Sequence, residues 1–230
     1  MSITPTQVNL QDSSSYSTAS SVPDDVYKRL PKMYKSTKLA PVDLKFDMVR
    51  EESHTVSLKK AHKAALRSQV LSGSRKAQAS VMFVVKRPGC ILCHEQGDDL
   101  QKLVGEFSNQ SVAAFACIKE INVDDEGLLT LYKNYFQFPF YRDTELSVYS
   151  ALGDRKVNVV TALRRWYSAK KRWEKKGLRG NMIGKGEGML LGGVMVFNRK
   201  GELQYAYKEQ IGLPLPIDEI RTAIKEVMNE

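Results

Sequence analysis

An α/β sandwich of three layers is the fold class the sequence predicts, on three observations. Val81-Met82-Phe83-Val84-Val85, Val112-Ala113-Ala114-Phe115-Ala116-Cys117-Ile118 and Val194-Met195-Val196-Phe197 are continuous apolar runs, the mark of strands buried on both faces. Between and after them lie stretches whose apolar residues recur at helical spacing. The order from residue 81 is therefore strand, helix, strand, helix, a basic segment, a hairpin and a final helix.

With 230 residues and 42% hydrophobic content, the chain can bury one good-sized core, so one domain with extensions is expected. No apolar run approaches the roughly eighteen residues of a membrane span. The first thirty residues lack a hydrophobic signal core, and Asp12, Asp24 and Asp25 precede the first basic residue, Lys28, which argues against a secretory signal. Three cysteines, two of them close together, make no disulfide framework; a reducing, cytoplasmic location is expected. The net charge of +9 favours anionic partners.

Residues 1–22, rich in serine, bury too little apolar surface to offset the entropy of ordering and are expected to be a disordered tail. Residues 23–78 read as an N-terminal arm and helix packed on a domain spanning 79–230. From Val22 to Met48 apolar residues are scattered among Pro23, Pro31 and Pro41 without a period, so that stretch is expected to be irregular. Residues 56–71 predict a helix with Leu58, Ala61, Ala65 and Val70 on one face, ended by Ser72-Gly73-Ser74. His54 and His62 read as surface residues.

The first strand runs into Lys86-Arg87-Pro88-Gly89-Cys90-Ile91-Leu92-Cys93-His94, after which a helix is expected from Cys90 to about Glu106. Strand, Pro-Gly turn and Cys-x-x-Cys at a helix start is a redox-motif context. The free N–H groups and the dipole of a helix start favour a thiolate, and Lys86, Arg87 and a charged His94 would add to that. Cys90 is the expected attacking thiol and Cys93 the resolving thiol, one turn on. Two other readings stand beside this one. The pair could be half of a zinc site, although only Cys117, His54, His62 and His94 remain as partners; or both cysteines could be plain core residues. Cys117, inside an apolar run, reads as core.

Residues 124–135 predict a helix and 136–141 a short aromatic strand, which Pro139 assigns to an edge or an irregular course. Residues 146–152 predict one or two helical turns. Residues 155–185 hold eleven Lys or Arg against a single acid, Glu174. A helix is expected over 161–175, with Leu163, Trp166, Tyr167 and Trp173 as an incomplete apolar stripe. The favoured reading is an insertion packed by its tryptophans with a solvated cationic face; the alternative is a site for an anionic partner, whether membrane surface, nucleic acid or acidic protein. Gly184-x-Gly186-x-Gly188 precedes a strand rather than following one, so with Gly192-Gly193 it reads as turn and close-approach glycines, not a nucleotide loop. A hairpin over 194–207 turns at Asn198–Gly201. Ile217, Ile220, Ala223, Ile224 and Val227 make the buried face of a last helix opened by Pro216.

This order is that of a thioredoxin-like sandwich, and from about Val81 to Glu230 the chain resembles the peroxiredoxin-like 2 family. The resemblance rests on Arg87-Pro88-Gly89-Cys90-Ile91-Leu92-Cys93, on Phe140-Tyr141-Arg142-Asp143 ahead of Tyr149-Ser150-Ala151-Leu152-Gly153, and on Gly180-Asn181-Met182-Ile183-Gly184-Lys185-Gly186-Glu187-Gly188 followed by Leu190-Leu191-Gly192-Gly193-Val194. It implies a thiol-dependent reductase of peroxide-like or disulfide substrates. Cys90 and Cys93 fall in the family's cysteine positions, supported by Arg87, Pro88, Gly89 and His94. It implies no bound cofactor or metal, and reducing equivalents from thioredoxin and NADPH. His94 stands where many members have arginine, which would make thiol reactivity more pH-dependent. No Thr lies three residues before either cysteine, as the peroxidatic motif of peroxiredoxins has it, and Gly192-Gly193 stands where thioredoxins place a cis-proline. A non-enzymatic redox sensor or interaction module is the other class of function.

Overall fold

The computed structural model describes residues 35–44, 49–68, 77–107, 112–181 and 185–229. At their centre β4 (Ala79–Val84) and β5 (Val112–Ile118) run parallel with every residue buried, as their unbroken apolar sequences require. β6 (Phe140–Arg142) continues the parallel arrangement beside β5, while β7 (Gly193–Asn198) and β8 (Leu203–Lys208) extend the other side antiparallel. The sheet does not stop at β6. β1 (Lys38–Asp43) pairs antiparallel with it, and the two-residue strands β2 (Arg50–Glu51) and β3 (Val56–Ser57) pair with β1. The resulting order is β2-β1-β6-β5-β4-β7-β8.

Side chains alternate between two apolar layers, because successive residues of a strand point to opposite faces. Val81, Phe83, Ala114, Ala116, Val194 and Val196 pack with α2 (Ile91–Glu106), α3 (Asp125–Asn134) and α6 (Ile217–Asn229). Met82, Val84, Phe115, Cys117, Met195 and Phe197 pack with α1 (Leu58–Ser68) and α4 (Ser147–Ala151). The expected three-layer, thioredoxin-like sandwich is the fold observed. α5 (Val159–Lys175) lies outside α2 and contributes Ala169 and Trp173 to the first layer.

Four expectations need correction. Residues 38–43, expected to be irregular, are a strand with Leu39 and Ala40 fully buried. Pro41 is tolerated there because one residue's N–H and C=O point to the same side of a strand; its carbonyl accepts the Glu52 N–H (3.0 Å), so its missing donor faces away from β6. β6 is consequently an interior strand, not an edge: Pro139 sits just before it, and its carbonyl accepts the Ala116 N–H at 2.8 Å. His62 is buried, not on the surface, with its ring 6.0 Å from that of Phe197; burial, helped by Lys63, lowers its pKa to about 4. Lastly, only Trp173 of the expected α5 stripe is buried, and Leu163, Trp166 and Tyr167 face solvent. The predicted Ser-rich tail, Val70, Ser72-Gly73-Ser74 and Gly184 lie outside the described residues.

Candidate active site

The turn that opens α2 is held by backbone, not by a capping side chain. Cys90 is the extended residue at the helix start, and Cys93 follows one turn later. Both are free and buried, Cys90 at 2% exposure. Gly89 must be glycine here, since a Cβ would fall 1.9 Å from Asp124 Oδ2, the side chain that caps α3 by accepting the Gly127 N–H. The end of the basic segment lies along this turn as a strap. Asn181 donates its N–H to Gly89 O (2.9 Å) and accepts the Ile91 N–H (3.0 Å), flanking Cys90 in a parallel bridge. Arg87 Nη2 donates to Asn181 Oδ1 (2.7 Å), and Asn181 Nδ2 donates to Asp124 Oδ2 (3.3 Å). The buried His94 faces two carbonyls, Pro88 O at 2.9 Å from Nε2 and Arg179 O at 2.5 Å from Nδ1, and stacks on Tyr135. Its role in the geometry is to tie turn to strap.

The two thiols are driven apart electrostatically. The Cys93 thiol donates a hydrogen bond to the Cys90 sulfur; with Lys86, the Cys93 N–H and Arg87, this outweighs burial and holds Cys90 well below the ordinary thiol range. Burial, that same hydrogen bond, the Cys90 charge and Glu209 push Cys93 well above it. Lys86 is itself buried. Burial opposes its charge, but Glu209, 3.7 Å away, and the two sulfurs keep its pKa raised. Glu209 also accepts the Gly192 N–H (3.0 Å). Gly192 is another position with no room for a side chain, its Cβ falling 1.9 Å from Val84 O. Below the turn, Lys119 donates to Lys86 O (2.5 Å) and pairs with Glu187 (2.8 Å), while the Tyr149 hydroxyl donates to Val85 O (2.7 Å).

The structure thus brings together all six residues expected at the site: Cys90, Cys93, Arg87, Pro88, Gly89 and His94. Cys117 packs in the opposite layer, where burial pushes its thiol well up. Glu209, Lys119, Asp124 and Tyr149 had no functional reading in the sequence. Each reaches the turn over a long separation, and no local motif marks Glu209 or Lys119; Tyr149 and Asn181 did lie in blocks that carry the family resemblance. Among the described residues no group of three or more His, Cys, Asp or Glu could hold a metal ion.

Against known proteins, the family model described as AhpC/TSA antioxidant enzyme matches residues 99–210. Peroxiredoxin-like 2A of Danio rerio is 30% identical over 156 residues, covering 66% of this chain and 70% of the relative. That of Gallus gallus is 29% identical over 159 residues, 66% of each chain. That of Xenopus tropicalis is 32% identical over 119 residues, 51% of this chain and 49% of the relative. The matches span from about half to seven tenths of the length of these three relatives. Among solved structures, Xanthomonas campestris bacterioferritin comigratory protein, described with alkyl peroxide reduction activity, superposes with a TM-score of 0.51 at 13% identity, over 86% of this chain and 96% of that one. At that identity the likeness is one of fold.

Proposed function

The chain belongs to the peroxiredoxin-like 2 family, and from that premise we propose that it is a thiol-dependent oxidoreductase reducing a peroxide-like or disulfide substrate through Cys90 and Cys93. The observation that carries this reading is the opposed tuning of the two thiols, one suited to attack and the other to keep its proton until it is needed. With a peroxide ROOH, the Cys90 thiolate takes the terminal OH, the O–O bond breaks, and the alkoxide leaves as ROH after taking a proton from solvent. The Cys93 thiol then displaces water from the Cys90 sulfenic acid, closing a disulfide. With a disulfide substrate, Cys90 forms the mixed disulfide and Cys93 releases the second thiol. In both cases two electrons must return from an external dithiol, for which thioredoxin recharged by NADPH is the proposed source. The cytoplasm is the proposed location; no described helix is long and apolar enough to cross a membrane.

The test is NADPH consumption with thioredoxin and thioredoxin reductase over a panel of organic peroxides and small disulfides. Cys90→Ser is expected to abolish turnover. Cys93→Ser should complete one attack and stall with Cys90 oxidised or mixed-disulfide bound, as read by mass. Cys117→Ser should turn over like wild type. A second reading, a redox sensor without turnover, is favoured by one observation, the burial of both sulfurs beside the Asn181 strap. Equal rates for wild type and Cys90→Ser, or no turnover on any substrate, would decide for it.

A further inference from the structure

α5 is held by one face only. Inward, Trp173 and Ala169 are buried, Arg172 forks onto the buried Glu95 through Nε and Nη2 at 3.0 Å each, and Lys176 pairs with Asp99 at 2.7 Å. Outward, the first turns present Val160 and Leu163 at 69% exposure each, Tyr167 at 64% and Val159 at 57%, with Trp166 at their flank. Large apolar side chains this open, gathered on one face, are unusual unless something covers them. Cations are interleaved with them. Lys171 sits over the Tyr167 ring (4.7 Å) and Lys170 over Trp166 (5.6 Å); Arg164 and Lys175 are exposed beside them.

We propose that the outward face of α5 docks on an anionic lipid surface. Helices that lie in a membrane interface combine an apolar face with Trp or Tyr at headgroup depth and flanking Lys or Arg. Here the apolar residues and the cations share one convex face, so aliphatic groups can enter the acyl boundary while the ammonium and guanidinium groups reach back to the headgroups. A second copy of this chain fits poorly, because two such cationic faces repel each other. A nucleic acid would use the cations and aromatics but leave Val159, Val160 and Leu163 without an apolar partner. The face is already folded and anchored to α2, so docking orders no new segment.

The test uses the full chain in co-sedimentation with phosphatidylcholine vesicles, with and without about 30% phosphatidylserine, at about 150 mM salt. Binding is expected only to the anionic vesicles, with a blue shift of Trp166 fluorescence that Trp166→Phe removes. Leu163→Asp and Val160→Asp should each weaken binding about tenfold or more, and Arg164→Gln with Lys171→Gln should weaken it and flatten its salt dependence. All these side chains are exposed, so the melting temperature of each variant should match wild type, which excludes misfolding as the cause. Three results would overturn the proposal: no binding to anionic vesicles at that salt, binding indifferent to both aspartate variants, or an oligonucleotide that binds more tightly than the vesicles and displaces them.

Discussion

Cys90 and Cys93 are chemically identical and three residues apart, so their opposite character comes wholly from what surrounds them. The spacing after an apolar strand made the pair legible as a redox motif; the Lys86–Glu209 pair beneath it was not, because Glu209 arrives from the far end of β8. Alkylation with mass mapping should find Cys90 modified first near neutral pH, with Cys93 and Cys117 much slower. Lys86→Met should slow that reaction, because it removes one of the positive charges that hold the Cys90 thiol down. It should also destabilise the chain by about 3 kcal/mol, since it strands a buried carboxylate. Lys86→Met with Glu209→Gln should regain stability in a urea titration but not reactivity. His62 reads as a surface residue beside Lys59, Lys60 and Lys63, whereas the Phe197 ring it meets comes from a strand far along the chain. Its folded pKa of about 4 lies below the ordinary 6.5, so as pH falls the unfolded chain takes the proton first. Stability at pH 7 is unaffected, and it is lost between about pH 6.5 and pH 4, up to about 3 kcal/mol. Urea titrations at pH 7 and pH 4.5 should show a loss that His62→Leu lacks.

Helix periodicity located α2, α3, α5 and α6 to within a few residues, yet it misjudged which side of α5 faces the core. Leu163 and Tyr167 recur at helical spacing as core residues do, and nothing local reveals that Ala162 and Ala169, rather than these two, join Trp173 on the inner face. The deciding partner, Glu95, is an acid on another helix that composition hides among solvated charges. Since Glu95 is 2% exposed and receives Arg172 and Lys176, removing Arg172 leaves a buried carboxylate short of its bidentate partner. Arg172→Ala should cost about 3 kcal/mol in a denaturant titration, whereas Lys170→Ala, which loses only a loose surface pair with Glu174 on the same helix, should cost well under 1 kcal/mol. The comparison measures how firmly the strap that follows α5 is held against the thiol turn.

At the scale of the whole molecule, the central strands were readable because burial on both faces forces unbroken apolar runs. β1 was not, because Pro41 and the charged Lys38 and Asp43 leave it no unbroken apolar run, and it takes its place only through pairing with a strand about a hundred residues away. That pairing has a consequence for proteolysis and for trimmed forms of the protein. Without residues 35–51, β6 would present a bare row of N–H and C=O groups, and Phe140 and Tyr141 would lose their cover. Such an exposed strand is a template for another copy. A chain starting near residue 52 should therefore retain much of its α/β signature by circular dichroism yet self-associate as its concentration rises, by light scattering, whereas the full chain scatters as a constant mass. Limited cleavage in the N-terminal third would then act less as a loss of ornament than as the unmasking of an adhesive margin.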